Sequence, residues 1–163
     1  MKAHIVDGVG LHPLSTSSRE TVAIAAVVYR EPIHPLHAIF LAFPFPMYLV
    51  AWLSDVAYTK TYQIQWLNFS QWVMVAALLL GGFALLWSLI DLIRSRPADK
   101  GRHATYFVLL LVTFVLGFIN ELVHAKDAFA TMPAGMYLSF ILTILALVAS
   151  WIGYSGFRTV EVK

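Results

Sequence analysis

The chain has no cysteine among its 163 residues. That absence excludes disulfides, thiolate catalysis, iron–sulfur ligation by the chain itself and covalent haem attachment through a Cys-x-x-Cys-His motif; non-covalent haem stays open. Charge is also scarce, with 12% of residues Asp, Glu, Lys or Arg, against roughly 25% in soluble domains. No His-x-x-x-His pair exists anywhere, so a dedicated metal site is not expected. No glycine-rich phosphate loop occurs, and no serine carries nucleophile-elbow glycines, which argues against phosphoryl transfer and hydrolysis. Nothing points to nucleic acid.

What fills the chain instead is apolar. Hydrophobic residues make up 60% of it and the mean hydropathy is +0.74. Crossing a bilayer takes about 20 residues at 1.5 Å rise each. Four stretches qualify: about Leu36 to Tyr58, Phe69 to Ile93, His103 to His124 and Pro133 to Phe157. This is an all-α integral membrane protein, with residues 1–33 as an amino-terminal arm and 34–163 as a four-helix transmembrane domain. The short connections predict an up-down-up-down bundle in which helices one and three lie on a diagonal. Pro44 and Pro46 predict a kink or late start in the first span. In the arm, Thr21 to Tyr29 is apolar but too short to span; the plain expectation is a partly ordered cytoplasmic arm, and the alternative, from Val22, Ile24, Val27 and Val28, is a docking element for a partner.

The basic residues set the orientation. Lys2, Arg19, Arg30, Arg94, Arg96, Lys100, Arg102, Arg158 and Lys163 fall on one side, and Lys60 and Lys126 on the other. That bias predicts a multi-pass protein of a bacterial inner membrane with both termini and the Arg94–Arg102 loop cytoplasmic. Trp52, Trp66, Trp72 and Tyr137 then belong to the outer aromatic belt.

Taking every third and fourth residue as one face, the third span shows a single stripe of His103, Tyr106, Leu110, Thr113, Gly117, Asn120 and His124. The second gives Ser70, Met74, Ala77, Gly81, Ala84, Ser88 and Asp91; the fourth, Ser139, Thr143, Ala146, Ser150, Gly153 and Phe157; the first, His37, Leu41, Pro44, Tyr48, Ala51, Asp55 and Tyr58. In lipid, small and polar stripes are what helix–helix seams use. Depth sorts the polar groups into two clusters. His37, Asp91, His103, Tyr106 and Ser150 lie at the cytoplasmic level, with His34 just outside. Asp55, Tyr58, Ser70, Asn120, Glu121 and His124 lie at the outer level. Asp55 with His124 is the clearest structural pair, supported by Asn120. His37 and His103, at matching depth on diagonal helices, have the placement that bis-imidazole ligation of b-type haem iron needs. Asp91 and Tyr106 are further candidates for holding that cofactor. The basic loop suits haem propionates or a quinone head group, as it suits anionic lipid.

A family resemblance rests on several of these residues. The run His37-Ala-Ile-Phe-Leu-Ala-Phe43-Pro44 with Asp55, the Gly81–Asp91 stretch, His103 and Asn120 through His124-Ala-Lys-Asp127 resemble the bacterial membrane family called domain of unknown function 2231. So does Leu138-Ser139 leading to Trp151-Ile152-Gly153. The resemblance implies a four-helix inner-membrane protein in a redox setting, because some relatives resemble fusions with, or neighbours of, Rieske iron–sulfur proteins and sugar dehydrogenases. The chain departs from the family at Tyr154-Ser155-Gly156 and in its longer arm, which favours a specialised partner. Two functional expectations result. One is an electron-transfer subunit binding b-type haem or quinone, more a partner of other membrane subunits than an enzyme on its own. The other is a cofactor-free accessory subunit that anchors a larger complex.

Overall fold

The computed structural model describes residues 26–30, 33–126 and 131–161. Most of the arm lies outside the described residues, including Val22 and Ile24. The order of elements is β1 (Ala26–Arg30), α1 (Pro35–Ala42), α2 (Pro44–Thr61), α3 (Ile64–Arg94), α4 (Lys100–His124), α5 (Ala134–Tyr154) and β2 (Phe157–Glu161). Residues 30–156 form one compact unit, and 1–29 with 157–163 a second. Within the second unit β1 pairs with β2, so the carboxyl half of the apolar run in the arm has a backbone partner in its own chain. The fourth helix also stops at Tyr154, short of the expected Phe157, and the chain passes into that ribbon.

Among the described residues, four segments are long and apolar enough to cross a membrane: Pro35–Thr61, Ile64–Arg94, Lys100–His124 and Ala134–Tyr154. The first is the interrupted one. Pro44 and Pro46 supply no N–H, so the hydrogen-bond ladder breaks at Phe43, yet Phe43 keeps helical angles (φ −85°, ψ −42°) and α1 runs into α2 as a kinked helix. At the far end Tyr62 adopts a left-handed conformation (φ 54°), and its N–H bonds Tyr58 O to close α2.

Packing follows the diagonal scheme. α2 and α4 each pack against both α3 and α5, while α1 packs mainly on α3. The buried faces are the small and polar stripes: His37, Leu41, Pro44, Tyr48, Ala51, Asp55 and Tyr58 on α1–α2, and Tyr106, Leu110, Thr113, Gly117, Asn120 and His124 on α4. Large apolar side chains point the other way; Leu79 is 62% exposed, Trp72 73% and Trp151 74%. Such a surface suits hydrocarbon, not water. Several seam hydroxyls close onto their own helices, with Ser54 donating to Val50 O, Thr113 to Leu109 O and Thr143 to Ser139 O, each at 2.8 Å. Back-bonding of this kind satisfies a hydroxyl in lipid without calling for a ligand.

Glycine is needed where two helices touch. A Cβ on Gly153 would run into the Leu41 side chain and approach Tyr106 Oη to 2.9 Å. Gly153→Ala is therefore expected to lower the unfolding midpoint in detergent, by about 1 kcal/mol of stability, since the Leu41 tip can swing aside. An unchanged midpoint would show that α5 does not approach α1 this closely.

Candidate functional site

The cluster expected at the cytoplasmic level lies at the end of the bundle where α1 begins, α3 ends and α4 begins. His37, in the first turn of α1, is buried and reaches two helices at once. Its Nε2 lies 3.1 Å from Tyr106 Oη on α4, and its Nδ1 lies 3.5 Å from Asp91 Oδ2 on α3. A carboxylate only accepts, so the network assigns the proton to Nδ1, and Nε2 accepts from the tyrosine hydroxyl. The result is a chain from Tyr106, 7% exposed, to an Asp91 side chain that is 40% exposed. Trp87, four residues before Asp91, packs over this end: His34 stacks on it with centroids 4.6 Å apart, and His37 lies at 6.0 Å. His34 also caps α1, its Nδ1 accepting from Leu36 N. Proline at the first helical position and a histidine cap explain why α1 starts where it presents His37 inward.

His103 is not part of this cluster. It is half-buried in the first turn of α4, and its imidazole makes no hydrogen bond or ring contact with a described residue. Ser150 likewise turns away, donating to Leu41 O at 3.4 Å. A b-type haem needs a free nitrogen lone pair on each of two facing imidazoles. In this structure His37 Nδ1 faces Asp91, a contact compatible with ligation, while Nε2 accepts from Tyr106, so ligation of iron by His37 would require Nε2 to give up the tyrosine. Among the described residues no group of three or more His, Cys, Asp or Glu side chains is placed to hold a metal ion.

The second cluster, at the opposite end, is a buried hydrogen-bond network in which one oxygen, Asn120 Oδ1, has no partner among the described residues. His124 Nε2 lies 3.0 Å from Asp55 Oδ1, both side chains fully buried. Ser139 Oγ donates to Asp55 Oδ2 at 2.6 Å, Asn120 Nδ2 donates to Ser139 Oγ at 2.9 Å, and the same amide meets Met74 Sδ at 3.1 Å. His124 Nδ1 faces the backbone carbonyl of Asn120 at 2.9 Å. That carbonyl can only accept, so Nδ1 carries a proton, and a second proton lies on the Nε2–Asp55 contact. Whichever partner holds it, the pair is neutral overall, which suits a fully buried site in lipid. Gly135 lets α5 close over it, since a Cβ there would come within 2.7 Å of His124 Cε1.

Three residues assigned to this outer level stand outside the network. Ser70 ties α3 to α2 through Ala51 O at 3.1 Å, Tyr58 packs edge-on against Tyr62, and Glu121 turns toward the lipid face. Glu121 and His124 have the Glu-x-x-His spacing of di-iron bundles, but such sites need a second pair, and the imidazole is already taken.

Four spans around buried polar seams define a polytopic, all-helical bundle of the membrane. The family model described as "Predicted membrane protein (DUF2231)" matches residues 33–160, and the chain belongs to that family. No curated protein and no solved structure matches it.

Proposed function

We propose that the protein is an inner-membrane subunit of an electron-transfer complex, and that it contributes a proton path rather than a metal centre. The observation that carries this reading is the Asp91–His37–Tyr106 chain. Quinol oxidation releases two protons with two electrons, so a membrane redox complex needs a route from a buried group to water. Here a half-exposed carboxylate, an imidazole engaged at both nitrogens and a buried phenol stand in hydrogen-bonding order. A proton leaving Tyr106 is accepted at Nε2 while Nδ1 releases one toward Asp91. In the orientation that the basic residues predict, the route opens to the cytoplasm beside the Arg94–Arg102 loop.

The test is purification from native membranes in mild detergent. The expected result is stoichiometric recovery with redox-active subunits, while the isolated chain is colourless. His37→Ala should slow electron flux of the complex by about tenfold, below the roughly hundredfold of a group acting in the chemical step itself, with the yield of complex unchanged. A Soret band lost in both His37→Ala and His103→Ala would establish haem ligation instead, and a lone monomer would remove the complex. The buried Asp55–His124 network favours a second reading, a cofactor-free anchoring subunit. In that case His37→Ala lowers the yield of complex and leaves flux per complex unchanged.

A further inference from the structure

On the lipid face of α3 and α4 lies a groove of about 690 Å³. Leu79, Gly82 and Phe83 line it from α3, and Phe114, Phe118 and Glu121 from α4. It is apolar except at one point: Glu121 Oε2 is buried with no hydrogen-bond partner among the described residues. The groups facing that carboxyl are Gln71 of α3, which hydrogen-bonds the carboxyl, Tyr48 of α2 and His124 of its own helix. An intramembrane carboxyl with an unused oxygen marks a functional position, because polarity in hydrocarbon is expensive unless a partner arrives.

Length and depth identify the kind of partner. The α3 wall runs from Val75 to Leu86, about 16 Å at 1.5 Å per residue. That is about half of a ~30 Å hydrocarbon core. A transmembrane helix would need the full thickness, whereas one lipid tail crossing the middle of α3 near Leu79 fits. Glu121 lies one turn inside the end of the apolar span Lys100–His124, where a neutral donor joined directly to the tail is the less costly partner. A hydroxyl meets that condition. Phe118, one turn from Glu121, sets an aromatic ring directly beneath the carboxyl, with Phe114 and Phe83 beyond, a wall suited to stacking a flat ring.

We propose that this groove binds an isoprenoid quinol, its hydroxyl donating to Glu121, its ring against Phe118 and its tail along Leu79 and Phe83. The Glu121 end of the groove is toward the outer face in the predicted orientation, at the opposite end of the bundle from the Asp91–His37–Tyr106 chain, and the assignment does not depend on that relay. Decyl-benzoquinol binding to the isolated, detergent-purified chain tests it. Saturable binding of one molecule per chain is expected. Glu121→Leu should weaken it at least tenfold, and Leu79→Trp, which fills the groove from its exposed rim, should abolish it with the unfolding midpoint unchanged. Absence of saturable wild-type binding, equal binding by Glu121→Leu, or equal competition by monoolein, a hydroxyl-headed lipid without a ring, would each overturn the proposal. Because the isolated chain is used, these outcomes are read independently of complex formation and flux.

Discussion

Asp55→Ala is expected to cost the bundle about 3–5 kcal/mol, the range seen when one partner is removed from a buried ion pair. Two groups lose their acceptor at once: His124 Nε2, 3.0 Å from the carboxylate, and Ser139 Oγ, 2.6 Å from it. Neither can turn to water, because Asp55, Asn120 and Ser139 are fully buried and His124 nearly so. Little else is within reach, since His124 Nδ1 is tied to Asn120 O and the remaining acceptor for Ser139 Oγ is the weak thioether Met74 Sδ at 3.9 Å. Asp55→Asn separates charge from connectivity. Its amide can donate to Nε2 of a singly protonated His124 while its carbonyl accepts from Ser139, so most of the stability should return. Denaturant titration in detergent micelles, followed by circular dichroism, measures both. A loss below about 1 kcal/mol for Asp55→Ala would mean that water reaches the pair and that the end of the bundle is open.

That pair was legible in the sequence because two facts sufficed: Asp55 and His124 sit on seam stripes, and both come at the same depth. Periodicity fixed nearly all the buried faces for the same reason, since the bilayer penalises any other way of disposing of Asn120 or Thr113. It was least informative at helix ends. His103 falls on the α4 stripe but lies in its first turn, where nothing forces a stripe residue inward, and it stays half-buried outside the cluster. Glu121 was grouped by depth with Asn120, yet consecutive helical residues point about 100° apart, so it had to leave that face. The spacing of Trp87 to Asp91 is a helical turn, a signal that was available for placing the indole over His37. The β1–β2 pairing and the stop at Tyr154 were not legible, because Phe157–Glu161 mixes apolar and polar residues over a run too short to separate strand from helix.

Gly117→Ala is expected to destabilise the bundle by about 2–3 kcal/mol, at the upper end of overpacking costs. A Cβ at this position would run into Tyr48 Oη and come within 3.0 Å of Leu78 Cδ2 and 3.3 Å of Tyr48 Cζ. The approach is across the diagonal, from α4 to α2, so relief requires two helices to separate. Tyr48 has little freedom to retreat: it is 2% exposed and belongs to the core cluster with Ala51, Met74, Ala77, Leu142 and Ala146. Tyr48→Phe removes the nearest of the obstructing atoms without emptying the site. In the Gly117→Ala/Tyr48→Phe double variant at least 1 kcal/mol of the loss should return, a coupling within the range for residues in contact. The Leu78 and Cζ contacts remain, so recovery stays partial. Additive single effects in the double-mutant cycle would mean that the phenol and the glycine do not meet. The two diagonal helices would then stand farther apart, and the seam would be held by its polar ends alone.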